Sequence, residues 1–227
     1  MKKSLASLLI LALFAAPSYA QKLSSAFIDM KEKEFRKQYV NLAVMPIHAV
    51  EIAFLPEELK PLIMEEVLKY LEKEDFEVLS PEVVTTLESE LIDRYGGPVP
   101  PSIREIVDQH IQREVLHQYP VDGIVEVTVA VVQAPFSSDK ASWSGTKQKI
   151  KVSGDGWFGG GKSGNVYASS IRVTVLDRSG TPRYFWGGGV EVMMHREGET
   201  LKSLPREELW QDEERIRDAV EYAFKPL

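Results

Sequence analysis

The stretch of this sequence that most resembles a chemical site is the glycine-rich segment GWFGGGKS at residues 156–163. Its letters fit the pattern G-x-x-x-x-G-K-[ST], in which backbone amides cradle the phosphates of a nucleotide. The pattern works only where a helix follows the loop, because the free N–H groups of the helix then face the phosphates. After Ser163 the sequence instead continues as GNVYASSIRVTV, which alternates with a period of two and is rich in β-branched residues. We therefore predict a strand there, and nucleotide binding through Gly156–Ser163 stays a minor alternative.

The same segment carries two adjacent aromatic residues among its glycines. Six glycines between positions 154 and 164 are typical of the tip of a hairpin that joins two antiparallel strands, where positive φ angles are needed. The two rings either fold back onto the sheet or, if exposed, anchor a partner. The residues that we predict to bind a partner are Trp157, Phe158, Gly159, Gly160 and Gly161.

The remaining candidates for chemistry are four histidines: His48, His110, His117 and His195. His110 and His117 lie seven positions apart on a predicted helix, which separates them by roughly 10 Å along its axis. Glu114 between them keeps a helical H-x-x-x-E-x-x-H metal site formally open, but solvated positions on the helix surface are the better interpretation. The chain has no G-x-S-x-G elbow and no cysteine. We expect no catalytic residues, no metal and no cofactor.

The first 20 residues have the composition of a secretory leader. Lys2 and Lys3 precede an apolar run, and Ser18-Tyr19-Ala20 ends in a small residue of the kind that signal peptidases accept. Since the chain has no cysteine for acylation, the processed protein is not expected to be a lipoprotein. We predict a signal peptide at 1–20 and a periplasmic location.

The charge balance indicates which partners to expect. Lys and Arg number 27 against 34 acidic residues, so removing the two leader lysines gives 25 minus 34, or −9. Nucleic acid is therefore not the expected partner, because phosphate binding needs clustered cations. The length favours one domain. We predict an amino-terminal extension at 21–38, then a single domain at 39–227 with a glycine-rich hairpin loop at 154–164.

Local patterns predict the elements of this domain. Residues 39–47 form a short apolar run that ends near a proline, typical of a buried strand. Helical spacing begins at Pro56, and a second helix is capped by Ser80 with Pro81 at its first position. Ser102 and Glu105 form a capping-box pattern for a third helix.

In the second half of the sequence, apolar and polar residues alternate, and this pattern predicts an antiparallel meander. Its strand segments lie at 123–132, 148–154, 166–177 and 183–195, and a helix at about 212–224 closes the chain. The predicted fold class is therefore α/β (α+β), with a mixed, largely antiparallel sheet packed with three to four helices.

The order of these elements resembles a known group of envelope proteins. The matching segments, in chain order, are LAVMPI, EKEDFEVLSPEVVTTLESEL, VDGIVEVTVAVV, IRVTVLDRSGTPRYFWGG and DEERIRDAVEYAFKPL. Together they resemble the curli-secretion-channel (CsgG)-like proteins, a group that includes the TolB amino-terminal domain and lipoprotein activators of penicillin-binding proteins. The resemblance covers roughly residues 40–225 and lies in the pattern of elements more than in particular residues.

The resemblance implies a periplasmic assembly, secretion or regulatory factor that binds envelope proteins and carries no catalytic residues. The missing lipidated cysteine departs from many members and argues against direct anchoring in the outer membrane. Two further hypotheses stay open: an oligomeric, outer-membrane-associated secretion component, and an enzyme that uses a histidine or the Lys162-Ser163 pair.

Overall fold

The structure is a computed structural model that describes residues 26–49, 54–94, 96–97, 99–153 and 163–227. The helices in these ranges are α1 (Glu32–Gln38), α2 (Lys60–Lys73), α3 (Pro81–Arg94), α4 (Pro101–Gln118) and α5 (Glu213–Phe224). The strands are β1 (Phe27–Ile28), β2 (Asn41–Val44), β3 (His48–Ala49), β4 (Glu77–Leu79), β5 (Gly123–Ser137), β6 (Lys140–Trp143), β7 (Thr146–Lys149), β8 (Lys151–Ser153), β9 (Ser163–Asp177), β10 (Pro182–Val192), β11 (Met194–Glu197) and β12 (Thr200–Ser203). Over the same ranges, no helix is long and apolar enough to cross a membrane.

Most helix boundaries agree with the local signals. Helix α3 begins at Pro81 as predicted, and α5 begins after Asp212, whose side chain accepts a hydrogen bond from the Arg215 amide at 3.3 Å. The capping box predicted at Ser102 is wrong, because α4 begins at Pro101 and its N-cap is Pro100. The N–H group at the first helical position has no partner within a helix, and proline has no N–H group at all. A helix can therefore begin at a proline, as α4 does at Pro101.

The central strands form one large mixed sheet. β5 and β9 are antiparallel and pair along their whole length, from Gly123 opposite Asp177 to Ser137 opposite Ser163. β10 lies antiparallel beside β9, whereas β2 is parallel to both β5 and β4. The resulting order is β1-β10-β9-β5-β2-β4, with β3 also paired to β5 and the β6–β7 hairpin extending from the end of β5. The predicted mixed α/β class with a largely antiparallel sheet is confirmed.

Helices cover the two faces of this sheet unequally. The larger core lies under α1, α2 and α5 and contains the side chains at alternate positions of β5 and β9: Val125, Val127, Val129, Ile171, Val173 and Val175. The opposite face packs against α3 and α4 through Ile124 and Leu176. This second core reaches only one end of the long strands β5 and β9. The rest of the sheet face on the side of α3 and α4 therefore has no helix packed on it.

At the other end of the long strands the sheet curls back on itself. The Gly189 amide donates to the Ser144 carbonyl at 3.0 Å, and the Thr146 hydroxyl donates to the Gly189 carbonyl at 2.8 Å. These bonds bring the β6–β7 hairpin against β10. A small third core fills the curl, made of Ala134, Ala141, Trp143, Ile150, Val166, Ala168 and Val192.

The strands that flank the glycine-rich segment do not pair with each other. β8 pairs in parallel with β11, in a separate three-stranded sheet of order β12-β11-β8, whereas β9 pairs with β5 and β10. The prediction that the strands on either side of 154–164 pair with each other as a hairpin is therefore wrong. The chain passes from one sheet to the other between Ser153 and Ser163.

Helix α5 approaches β10 more closely than side chains would normally allow. A methyl group added at Gly188 would overlap the backbone carbonyl of Ala219, which belongs to α5. The helix places a buried row of Ile216, Ala219, Val220, Ala223 and Phe224 over the sheet. Gly188, which has no side chain, and the small alanines of α5 thus allow the strand and the helix to pack closely. This contact fixes α5 on the sheet.

Replacing Gly188 by alanine tests this contact. We expect Gly188→Ala to lower the free energy of unfolding by roughly 3 kcal/mol or more, because backbone atoms of α5 must move to admit the methyl group. Urea unfolding measured by circular dichroism provides the value. Gly164→Ala is the control: its added methyl would meet only the Phe136 ring, at 3.0 Å, and that side chain can move. Equal stability of the two variants would contradict the close packing.

The turn between β9 and β10 is organised by Asp177. Its Oδ1 accepts hydrogen bonds from the amides of Ser179 and Thr181 at 2.8 and 3.0 Å, and its Oδ2 accepts one from Arg183 at 2.8 Å. Burial by itself would raise the pKa of Asp177, but the hydrogen bonds from Ser179, Thr181 and Arg183 outweigh it and lower this pKa to about 2.

The lowered pKa of Asp177 predicts acid sensitivity. The stabilising contribution is fully present above the ordinary value of 3.8 and is lost as the pH falls towards about 2, where the folded protein must also take up the proton. Asp177→Asn should lower the free energy of unfolding by roughly 1–2 kcal/mol at pH 7 and reduce its fall between these pH values. Unfolding curves at several pH values measure both effects. Asp218→Asn, at an exposed position of α5, should behave like the parent protein.

Candidate functional site

The residues predicted to bind a partner, Trp157 and Phe158 with Gly159, Gly160 and Gly161, lie outside the described residues. Their position is therefore known only through the strands on either side. β8 ends at Ser153, and β9 begins at Ser163. β8 and the start of β9 are therefore the described residues that flank this segment.

On its carboxyl-terminal side, the glycine-rich segment leads into the strand that the sequence predicts. β9 runs from Ser163 to Asp177 without a helical turn, and Ser163 is exposed at its first position. The helix whose amino terminus would face a phosphate is thus replaced by a strand. The geometry gives no support to the nucleotide-binding alternative.

A cleft of about 320 Å³ lies beside β8. Its walls are the β7–β8 segment on one side and the stretch leading into α5 on the other, and the end of β10 forms its floor. Eight of its eleven lining residues are polar or charged: Gln148, Lys149, Lys151, Glu191, Glu208, Gln211, Asp212 and Arg215. Val192, Met194 and Leu204 complete the lining. Most small-molecule pockets are lined mainly by apolar groups, so this cleft is suited to a polar ligand.

Glu191 is the buried acid of the cleft. It is 8% exposed, and its Oε1 accepts a hydrogen bond from the Trp210 amide at 2.6 Å. Burial raises the pKa of Glu191, while the Trp210 amide and the nearby cations Arg215 and Lys151 act in the opposite direction. Trp210 has a φ of +64°, an unusual value for a tryptophan, and this backbone turn is what points its amide at the carboxyl group.

The rim of the cleft is held by ion pairs between neighbouring elements. Lys151 on β8 lies 3.3 Å from Glu208, which belongs to the segment before α5, so this pair spans the cleft. Arg215 lies 3.0 Å from Asp212 at the start of the helix. Both pairs are half-exposed, and pairs of this kind exchange partners at little cost in free energy. A ligand that carries both charges can therefore replace either pair.

The histidines do not form a site within the described part of the chain. His110 and His117 are on α4 as predicted, and His110 lies 3.8 Å from Glu114, which is an ordinary contact one turn along a helix. No group of three metal-ligating side chains occurs among the described residues. His195 lies on β11, directly opposite Lys151 and Lys202 in the sheet. His48 belongs to β3.

Sequence reasoning missed Glu191. In the run Val190-Glu191-Val192, alternation predicts that the acid faces solvent. The register shifts between Gly189 and Val192, however, and the Glu191 amide donates to the Ser169 hydroxyl at 3.3 Å. This bulge turns the backbone and buries the whole run. No local sequence pattern predicts this bulge.

Comparison with known proteins yields no family. No family model matches the chain, and no curated protein matches it. The solved structures that are similar include the following two. The hypothetical protein CT253 from Chlamydia trachomatis is 13% identical, with 66% of this chain and 70% of that chain covered and a TM-score of 0.30. A neuraminyllactose-binding hemagglutinin homolog from Helicobacter pylori is 10% identical, with 88% and 84% covered and a TM-score of 0.30. At this TM-score, neither likeness bears on the function of this chain.

The buried acid generates a prediction about pH. Because the pKa of Glu191 is raised on folding, the folded state holds the proton more strongly, and stability falls as the pH rises above its unfolded value of 4.5. Glu191→Gln keeps an oxygen for the Trp210 amide and removes the ionisation. Its free energy of unfolding should therefore fall less between pH 5 and pH 8 than that of the parent protein.

Two further variants complete this measurement by urea unfolding. Glu191→Leu leaves the buried Trp210 amide without an acceptor and should cost about 1–3 kcal/mol at every pH. Glu214→Gln, at an exposed position of α5, should leave the pH dependence unchanged. Parallel pH profiles for the parent and Glu191→Gln would show that the buried carboxyl group is not what titrates.

Proposed function

We propose that this chain is a secreted, periplasmic, non-enzymatic accessory protein that acts in cell-envelope assembly, secretion or regulation by binding another envelope protein. The partner would contact the cleft beside β8 and the glycine-rich segment that follows β8 in the sequence. Nucleic acid is not a proposed partner, given the net negative charge.

The observation that carries this proposal is that β8, which lines the cleft, directly precedes the glycine-rich segment in the sequence. Lys151 lines the cleft and lies two residues before Ser153, the last residue of β8, and Trp157 follows four residues after Ser153. A partner that contacts Trp157 and Phe158 would therefore lie within reach of the charged rim. Aromatic residues at the centre and ion pairs at the rim are the usual composition of protein interfaces.

The chemistry of the cleft favours a peptide segment of mixed charge. Its three cations, Lys149, Lys151 and Arg215, are matched by the carboxyl groups of Glu191, Glu208 and Asp212. Such a lining attracts neither a simple anion nor a simple cation strongly. A polypeptide that presents both charges and backbone amides can satisfy all of them, because each new contact replaces an existing pair.

The location rests on the sequence. The leader-like segment at 1–20 motivates a periplasmic protein, and the order of elements resembles the CsgG-like and TolB-like envelope proteins. Association with the outer membrane and assembly into a homo-oligomer belong to the alternative form of the same proposal, a secretion component. In that case the partner recovered would be a second copy of this chain.

A crosslinking experiment with paired variants tests the proposal. The secreted chain, residues 21–227, is crosslinked in envelope extracts, and the products are identified by mass spectrometry. We expect one defined partner with the parent protein. It should be lost with Trp157→Ala/Phe158→Ala and, through charge repulsion, with Lys151→Glu/Arg215→Glu.

The matched control reverses one lysine and one arginine elsewhere. Lys69 on α2 and Arg94 on α3 are 57% and 70% exposed, so Lys69→Glu/Arg94→Glu changes the net charge equally without touching the cleft. Each variant is first shown to unfold at the same urea concentration as the parent. Recovery of the same products with all variants, or of none with the parent, would contradict the proposal.

A further inference from the structure

A second surface lies on the face of the large sheet that α3 and α4 cover only in part. Side chains that are directly opposite across paired strands point to the same face. Two such rows cross the sheet beyond Ile124 and Leu176: Glu126, Thr174, Phe185 and Phe27, then Thr128, Arg172 and Gly187. All of them are partly exposed. The rows occupy the stretch of strand between α4 and the β6–β7 hairpin.

Arg172 stands out on this surface because it has no acidic partner. Burial lowers its pKa, and no other group opposes that effect. Among the described residues, no hydrogen bond or ion pair reaches its guanidinium group. The other half-buried arginines differ: Arg36, Arg104 and Arg183 each pair with two carboxylates. A cation that loses water without gaining a partner is destabilising.

The surroundings of Arg172 position its donors. Its guanidinium carbon lies 5.9 Å from the centre of the Phe185 ring, which in turn stacks on Phe27 with ring centres 6.4 Å apart. A guanidinium group over a ring keeps its N–H donors free at the edge. Thr128, directly opposite, and Thr174, two residues along, place hydroxyl groups beside it on the same face.

The acid of these two rows, Glu126, is already engaged. Glu126 lies two residues from Thr128 on the same side of β5, but its carboxyl group accepts a hydrogen bond from the Gln112 side chain on α4. Burial raises the pKa of Glu126, and Arg172 is not among the groups that act on it. Within the described structure, the cation therefore has the Phe185 ring beside it but no carboxylate from its own chain.

We propose that Arg172, Phe185 and Phe27 form a docking site for an acidic residue of a protein partner. The partner's carboxylate would take the guanidinium donors in bidentate fashion, with apolar neighbours of that residue against the two rings. Charge complementarity selects this occupant. The surface is a sheet face rather than a cavity, and its aromatic and arginine groups are of the kinds enriched in protein interfaces. The inference rests on the proposed function only in taking a protein as the ligand.

Stability measurements test the first step of this argument. Because the guanidinium group is desolvated and unpaired, Arg172→Met should unfold at the same or a higher urea concentration than the parent. Arg104→Met, which breaks the pairs with Glu88 and Asp108, should unfold at a lower one. A lower midpoint for Arg172→Met would mean that the side chain serves the fold, and would overturn the proposal.

A peptide selection tests the binding itself. Random heptapeptides on display particles are selected against the immobilised chain of residues 21–227. We expect enriched peptides with a constant Asp or Glu next to apolar residues. They should bind Arg172→Met at least about tenfold more weakly, since a charge-assisted hydrogen-bonded pair is lost. Arg172→Lys should bind with intermediate strength, and replacing the constant acid by its amide should abolish binding.

Two readouts make the result specific to this site. Arg94→Met, at an exposed position of α3, should bind the peptides unchanged. The Arg172 side-chain N–H resonance, assigned by its absence in Arg172→Lys, should shift when peptide is added. Enrichment of no peptide, of acid-free peptides, or of peptides that bind Arg172→Met as well as the parent would each overturn the proposal.

The outcomes separate this inference from the proposed function. If the envelope partner is lost with the cleft and loop variants and no acid-dependent peptide is enriched, the proposed function stands and the Arg172 site does not. If no envelope partner is recovered but acid-dependent peptides bind through Arg172, the site stands and the cleft-and-loop proposal fails.

Discussion

The close contact between α5 and β10 is the constraint on which the rest of the structure depends. Because Gly188 has no side chain, the backbone of α5 at Ala219 lies directly on the strand. The end of the helix is then held by Tyr184, whose hydroxyl donates to the Ala223 carbonyl, and by Tyr70 of α2, which donates to the Phe224 carbonyl at 3.1 Å. One missing methyl group thus positions two helices and the larger core.

The same contact also creates the cleft. Once α5 is fixed on β10, its first turn and the segment before it must lie beside the end of that strand, opposite β7 and β8. The bulge between Gly189 and Val192 then turns Glu191 towards Trp210. A buried acid therefore results from a packing requirement: the strand must leave its regular path where the sheet curls onto the β6–β7 hairpin.

The two proposed surfaces differ in how the protein treats charge. In the cleft, cations and acids are balanced and paired across the rim, as Lys151 with Glu208, so a ligand competes with existing partners. At Arg172 the charge is desolvated and unpaired among the described residues, so a ligand supplies what the chain lacks. Exchange in the first case favours specificity over affinity, whereas pairing in the second adds affinity directly.

Local sequence patterns determined the elements of this protein. The period-two run after Ser163, the Pro81 signal and the spacing before Phe224 predicted β9, α3 and α5, because each depends on neighbours within a few residues. Burial of the alternate residues of β5 and β9 agrees with the same periodicity. The mixed α/β class could therefore be predicted, even though the sequence of a helix does not state which strand it covers.

Only the tertiary structure decided how those elements meet. The pairing of Lys151 with His195 joins strands more than forty residues apart, and it separates β8 from the β9 strand that sequence reasoning placed beside it. Likewise, the burial of Glu191 depends on a bulge in β10, and the lack of an ion pair at Arg172 depends on which side chains the fold brings to its face of the sheet. These features depend on contacts between residues that are far apart in the sequence, and local sequence patterns do not predict which of those contacts form.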